Sequence, residues 1–545
     1  MDYSKTVVVA VVVPAIWLLL KKLKRSDIAD MHGPDTSDTS WSFILGHLKL
    51  MAHSESGGVE KLFLDNYGSV VRFKAPFAEN RLWVADPKAL HQIFHATSYL
   101  YRKSASSREM NAIIADPGLL AADGATHRRQ RKAMMPAFGL TASRELLPRF
   151  VEVVDKLEVM WKDLLEESPV ELVEIDVAGW LGRAALDVIG NAAFDYDFGA
   201  LEGTENPLTR SYLNLLSVAF GTKPLPKNIL ISDASQYLPR GLLTWIFERD
   251  KSPGSVRMRE NRKYAREVAK ELIDTKRQNI ENGEMGNDVL SLLIEGSGDV
   301  DGVMNDVEIA SQVRTIMLAG QETTAKMMSQ MLWELAKNPE YQTKLRAELD
   351  DFVSVKGNAD FTATDLESLS YLNAVIKETL RVHTSVPDII REVSEDTMLP
   401  LSKPVIGRSG KTYNEIFVPK GSVIHASLAG YNTNPDVWGS DARVFRPDRW
   451  FEQGMKKADT PLGIYGGLMT FSAGERSCIG WRFALIEAQA FMARLVREFQ
   501  FSVVEGKEIR IYRPGLLEPL VVGEEDKGVQ LPLNVSAICR GAHFH

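Results

Sequence analysis

Apolar residues recur with helical spacing through 145–165, 260–282, 305–337, 340–352, 371–382 and 482–499, which predicts amphipathic helices there. Shorter runs between turn residues, Val70 to Phe73, Arg81 to Val84 and Val423 to Ala426, predict strands. The pattern is mainly α with a minor β-sheet. One helix stands out. Asn305 and Glu308 have capping-box spacing and Asn338-Pro339 supplies a stop, so a helix of about 32 residues is predicted, ~50 Å long at ~1.5 Å per residue. Its middle reads Ala319-Gly320-Gln321-Glu322-Thr323-Thr324, where a glycine and two threonines weaken a helix, so some other demand keeps them there.

A different pattern opens the chain. Thr6 to Leu20 is uncharged and dominated by Val and Leu, and Lys21, Lys22, Lys24 and Arg25 follow at once. We read residues 1–20 as an N-terminal membrane anchor, short of the ~20 apolar residues a spanning helix wants, with flanking lysines snorkelling to make up the length. The basic cluster lies after the apolar run and no small-residue cleavage site follows, which disfavours a cleaved signal. Positive-inside bias then leaves the body in the cytosol. Residues 21–40, with Gly33-Pro34 and the polar stretch Asp35 to Ser40, read as a basic stop and hinge, and the folded body is expected over 41–545.

Composition narrows the classes. With 45% hydrophobic and 25% charged residues the chain is globular, and a net charge of -8 argues against a nucleic-acid partner. Its 545 residues alone would suggest about three to four domains of ~150 residues. Cys478 and Cys539 are the only cysteines, which is no disulfide framework and points to a reducing compartment. Any thiol chemistry rests on one of these two.

Cys478 closes the loop Phe471-Ser472-Ala473-Gly474-Glu475-Arg476-Ser477-Cys478-Ile479-Gly480, just before the helical run from Trp481. A thiolate is favoured at such a helix start, and a haem iron is one acceptor for it. Gly474 and Gly480 are expected to let the backbone turn and approach closely. Glu378 and Arg381 share one helix face at i, i+3 and can join Arg449 in a buried ion-pair network. Ala319 and Thr323, four apart, look toward one spot, although a hydroxyl bonded back to the carbonyl four residues earlier would account for the threonine equally well.

The ten-residue loop matches the haem-binding signature of the cytochrome P-450 family at every fixed position. Glu378-Thr379-Leu380-Arg381 and Phe445-Arg446-Pro447-Asp448-Arg449-Trp450 resemble two further family elements in the right order. The resemblance spans about Trp41 to Val535 and implies the family fold, one large haem domain behind the anchor. It implies haem b as cofactor, with Cys478 as iron ligand and Phe471, Gly474, Arg476, Gly480 and Ala319 around it. Propionates fall to Arg476, Arg391, Arg131 and His127, the last two from the segment Gly124 to Lys132. The long helix then carries an acid–alcohol pair, Glu322 and Thr323, which supplies protons for O–O cleavage. For Arg128, Arg129 and Lys132, a solvated helix face and a docking patch for an acidic reductase both stay open.

The implied activity is monooxygenation of a lipophilic substrate with O2, in the manner of fungal microsomal members that serve secondary metabolism. No flavin domain is fused to the chain, so electrons are expected from a separate NADPH-cytochrome P-450 reductase, with cytochrome b5 as a second donor, at the endoplasmic reticulum membrane. The largely apolar segments Tyr99 to Leu120, Val386 to Ile390 and Gly515 to Leu517, with Ile316 and Ala319, are expected to line the substrate pocket. A hydroperoxide isomerase or dehydratase on the same fold would keep Cys478 without needing Glu322 and Thr323. A xenobiotic or fatty-acid hydroxylase, or a non-enzymatic haem protein, stays open.

Overall fold

The computed structural model describes residues 26–37, 41–203, 207–221, 223–284, 286–296, 304–357, 360–452, 461–513 and 515–538. The anchor read over 1–20, the basic cluster and Cys539 lie outside them. Among the described residues no helix is long and apolar enough to cross a membrane.

The helices that position the site are α1 (Ala105–Ala115), α2 (Gly124–Met134), α3 (Leu147–Glu166), α4 (Val177–Phe194), α5 (Leu215–Phe220), α6 (Pro226–Ala234), α7 (Pro253–Glu281), α8 (Asp306–Lys337), α9 (Pro339–Lys356), α10 (Ser370–Val382) and α11 (Trp481–Glu498). The strands are β1 (Val70–Lys74), β2 (Asn80–Val84), β3 (Tyr101–Lys103), β4 (Leu172–Asp176), β5 (Asp388–Val393), β6 (Thr397–Ile406), β7 (Thr412–Val418), β8 (Val423–Ser427), β9 (Phe499–Val503), β10 (Ile509–Tyr512), β11 (Glu518–Val521) and β12 (Pro532–Ala537). The main sheet runs β1-β2-β8-β5-β3, with β2 and β8 its one parallel pair. The others are β4-β12-β9 and the hairpins β6-β7 and β10-β11.

α8 is the axis of the helical part. Both capping-box bonds form, Glu308 N to Asn305 Oδ1 at 2.9 Å and Asn305 N to Glu308 Oε2 at 3.2 Å, so the start is set by side chains rather than by packing. It is buried on nearly every side, against α4, α7, α10, α11 and β9. The glycine in its middle answers to this packing. A Cβ on Gly320 would stand 2.6 Å from Ile189 Cδ1 on α4, so a larger residue would have to push that side chain aside, and glycine lets the two helices approach closely without it.

Two expectations are corrected. The folded body begins before Trp41, inside the stretch expected to be a hinge. Ile28 and Met31 are buried in the main core, Arg72 donates from Nε to the Met31 carbonyl at 3.1 Å, and Tyr413 donates to Asp30 at 2.9 Å. Gly33 lies flat on β1, where a Cβ would stand 1.7 Å from the Arg72 carbonyl oxygen. The helix expected from 260 starts at Pro253, with Ser252 as N-cap and proline preset for the first turn. α4 carried no amphipathic signal because it is apolar and buried on most of its faces.

Candidate functional site

Cys478 sits between the 3-10 turn Gly474–Arg476 and the first residue of α11, and its amide donates to the Phe471 carbonyl at 2.8 Å. Its side chain is accessible although protein packs densely around it. Burial pushes the thiol up, against the pull of the Gly480 amide and the Arg131 guanidinium. Gly474 holds φ +64°, and a Cβ there would meet the Phe94 carbonyl oxygen at 1.9 Å, so the loop crosses that backbone only as glycine. Gly480 is different from the expectation. Its φ is -87° and the nearest atom to a Cβ would be a Phe138 ring carbon at 3.9 Å, so neither conformation nor contact with the protein demands a glycine. Phe471 is half-buried at the end of the preceding turn.

Four cations gather beside this loop: Lys103 at the end of β3, Arg131 on α2, Arg391 on β5 and Arg476 in the loop itself. Burial first, and then the charges of Arg391, Arg476 and Arg131, push Lys103 down to about 7. Burial, and then Arg476, push Arg391 down to about 9. Arg476 pairs with Asp123, donates to the Ser98 carbonyl at 2.6 Å and lies 4.2 Å from the Tyr99 ring centroid, while its Nε is buried without a partner. Arg391 donates to the adjacent Ile390 carbonyl at 3.3 Å and rests 5.6 Å from the Phe94 ring centroid. Lys103 donates to the carbonyls of Leu119 and Leu120, each at 2.8 Å. Asp123 and the exposed Glu475 are the carboxylates that act on these groups, so buried positive charge is in excess. Two carboxylates of a bound group would neutralise it, and a haem carries two propionates. The residues present fit that cofactor.

His127 does not join the cations. Burial, then Lys103, Arg476 and Arg131, push it down to about 3, and Tyr99 Oη lies 3.1 Å from its Nδ1. It is a neutral ring within the wall. Arg129 is bidentate on Glu308 at the start of α8, and Arg128 stacks 3.8 Å from the Tyr99 ring centroid, which leaves Lys132 and the rim of Arg128 as the exposed charge of α2.

On α8 the accessible residues in an otherwise buried middle are Ala319 and, in part, Gly320 and Thr323. Thr323 Oγ1 donates to the Ala319 carbonyl at 2.6 Å. Glu322 faces α5. Its Oε1 accepts from Leu216 N at 2.8 Å and its Oε2 from Lys326 Nζ at 3.1 Å.

Glu378, Arg381 and Arg449 form one buried network. Glu378 Oε1 accepts from Arg381 Nη2 at 2.8 Å, Arg449 Nε at 2.9 Å and the Arg446 amide at 2.8 Å. Its Oε2 accepts from Arg381 Nε at 2.9 Å and Trp450 Nε1 at 3.1 Å. Glu378 therefore ties α10 to the segment that precedes the cysteine loop. Lys103, Asp123, Lys326 and Glu518 escaped the reading of the sequence. Asp123 alone had a local signal, as the N-cap of α2.

The family model "Cytochrome P450" matches residues 37–522. A cytochrome P-450 monooxygenase of Postia placenta is 33% identical, covering 96% of this chain and 96% of its own. The ganoderic acid synthetase of Ganoderma lucidum is 31% identical over 93% and 94%, and a cytochrome P-450 monooxygenase of Ampulloclitocybe clavipes is 31% identical over 96% of both chains. With a haem-binding loop, a buried Glu–Arg–Arg network and a family match over most of its length, the chain belongs to the cytochrome P-450 family of monooxygenases.

Proposed function

We propose that the protein inserts one oxygen atom from O2 into a lipophilic small molecule, as a hydroxylation or further oxidation in fungal secondary metabolism such as terpenoid tailoring. The observation that carries the cofactor is the excess of buried cations beside the cysteine. Bound there, a thiolate-ligated haem b supplies the redox chemistry that activates dioxygen. Cys478 is the ligand, and its loop is held by Arg131, which donates to the Ser477 carbonyl at 2.6 Å. Arg391, Arg476, Arg131 and Lys103 hold the propionates. Thr323 and Glu322 handle protons at the oxygen site, with Ala319 leaving room beside them.

The relative named a ganoderic acid synthetase supports a biosynthetic role. Electrons come from a separate NADPH-dependent reductase, with cytochrome b5 as a second donor. We place the protein at the endoplasmic reticulum membrane, anchored through residues 1–20 with the haem domain in the cytosol. Exposed Phe43, Ile44, Phe77, Leu225 and Ile231 support contact with lipid. Phe77 N donates to the Phe43 carbonyl, and His53 Nε2 lies 2.8 Å from the Pro224 carbonyl oxygen, so these segments are neighbours.

The test is oxygen accounting. With reductase, NADPH and isotopically labelled dioxygen, a terpenoid that shifts the haem spectrum should yield product carrying one labelled atom. Turnover of a hydroperoxide without reductase, at the full rate, would favour the isomerase instead.

A further inference from the structure

The acid–alcohol pair is embedded in a larger buried cluster. Lys326, four residues after Glu322 and three after Thr323, lies on the same stretch of the α8 surface as both. Its Nζ is 3.1 Å from Glu322 Oε2 and 3.5 Å from Oε1 of Glu518, the first residue of β11. Ser217 on α5 donates to that same Oε1 at 2.6 Å, and its neighbour Leu216 holds Glu322, so consecutive residues of α5 clasp both carboxylates. Glu322, Lys326 and Glu518 are 4%, 6% and 1% exposed.

Two carboxylates around one ammonium would leave a net negative charge in a low-dielectric interior, which is costly unless one of them holds a proton. Glu518 is placed to hold it. Burial pushes its carboxyl up, against Lys326 and Ser217, with Glu322 adding to the push. Its Oε2 is buried without a protein partner, the position an O–H needs for a water. A cluster kept for packing alone would be served as well by apolar side chains of similar volume.

We propose that Lys326 and Glu518 extend the pair into a proton supply that runs from Glu518 through Lys326 to Glu322 and Thr323, closed by α5. It rests on the role given to Glu322 and Thr323 above. Lys326 gives a proton from Nζ to Glu322 and takes one from Glu518, whose carboxyl turns so that its protonated oxygen faces Nζ. The net change is a protonated Glu322, an ionised Glu518 and an unaltered ammonium, and a water at Oε2 returns a solvent proton to Glu518. Both residues act through Glu322 and are positioning residues.

The test uses the full chain with haem and reductase, without added substrate, measuring NADPH, O2 and hydrogen peroxide together. Infrared spectra of the chain with and without haem report protonated carboxyls. Glu518→Gln, which keeps shape, should remove one protonated-carboxyl band. Glu518→Gln and Lys326→Met should each raise the ratio of peroxide to water formed by on the order of tenfold, a fraction of what a fully positioned acid contributes. Lys326→Arg, which keeps the charge but gives up no proton, should raise the ratio as Lys326→Met does, and a wild-type ratio in it would show that only the charge of Lys326 matters. If Lys326→Met does not fold, Glu518→Gln decides alone. An unchanged band, or an unchanged ratio in Glu518→Gln while Thr323→Ala raises it, would overturn the supply and leave the pair standing. An unchanged ratio in Thr323→Ala as well would remove the reading on which the supply rests.

Discussion

Arg131 on α2 grips the residue before the cysteine with both ends of its guanidinium: Nη1 donates to the Ser477 carbonyl at 2.6 Å and Nη2 to Ser477 Oγ at 3.1 Å. A helix distant in sequence thereby fixes the backbone that aims Cys478, and the same cation is within range of the sulfur.

Arg131→Met should loosen that loop. Each lost hydrogen bond from a charged donor is worth ~1.5–3 kcal/mol, and ~1.4 kcal/mol is a factor of ten in retention. Haem lost to an apo-globin acceptor should therefore leave the variant at least roughly tenfold faster than the wild type. Equal loss rates would show that the grip is incidental.

Cys478→Ser should abolish the thiolate signature, because a serine hydroxyl is a poor soft donor and stays protonated near neutral pH. The reduced carbon-monoxide spectrum reads it. A variant that keeps the red-shifted Soret band would place the ligand elsewhere.

The two ion pairs of Glu378 and Glu308 should differ sharply. Arg381 and Glu378 are 0% exposed, so Arg381→Met leaves a buried carboxylate short of its main partner and should cost about 3–5 kcal/mol in urea unfolding. Arg129 is about one-third exposed, with 34% of its side chain accessible, and Arg129→Ala should cost roughly 1 kcal/mol or less. Similar costs would contradict the burial argument.

Glu487 on α11 sets a pH dependence. Burial alone raises its carboxyl well above the usual range, and its Oε1 has no partner. A raised folded-state value means that its stabilising share is complete below the unfolded value of ~4.3 and is lost as pH rises toward the folded value, ~1.4 kcal/mol for each unit crossed. Glu487→Gln should flatten that part of the stability–pH curve and gain on the wild type as pH rises. Parallel curves for the two proteins would mean the group is not protonated in the fold.

Truncation tests the proposed anchor separately from the body. Removing residues 1–25 should release much of the protein from membranes and keep its haem. Removing 1–40 also takes Ile28 and Met31, 2% and 0% exposed, out of the core, and should cost ~1.5–3 kcal/mol for each. If both truncations are equally stable, the segment from Ser26 is not part of the fold.

The sequence by itself determined what is local. Capping chemistry at Asn305 and Glu308 and the spacing through 305–337 were enough for α8, because a helix start is a matter of side chains within three residues. The cysteine loop was legible for the same reason, as ten consecutive residues whose order carries the chemistry. The tertiary structure decided what depends on convergence. Lys103, Arg131, Arg391 and Arg476 come from four separate segments, and only their assembly leaves positive charge in excess. His127, placed at a propionate by resemblance, is held neutral first by its burial and then by the three cations around it inside the fold. Gly320 looked like a weakness until α4 was set against it. Residues 21–40 looked like a basic stop and hinge because glycine, proline and charge read as solvent-facing, whereas the burial of Ile28 and Met31 within them depends on β1 and β7, brought to them from across the chain. Burial and charge crowding are properties of neighbours, and which residues become neighbours is settled only when the whole chain packs.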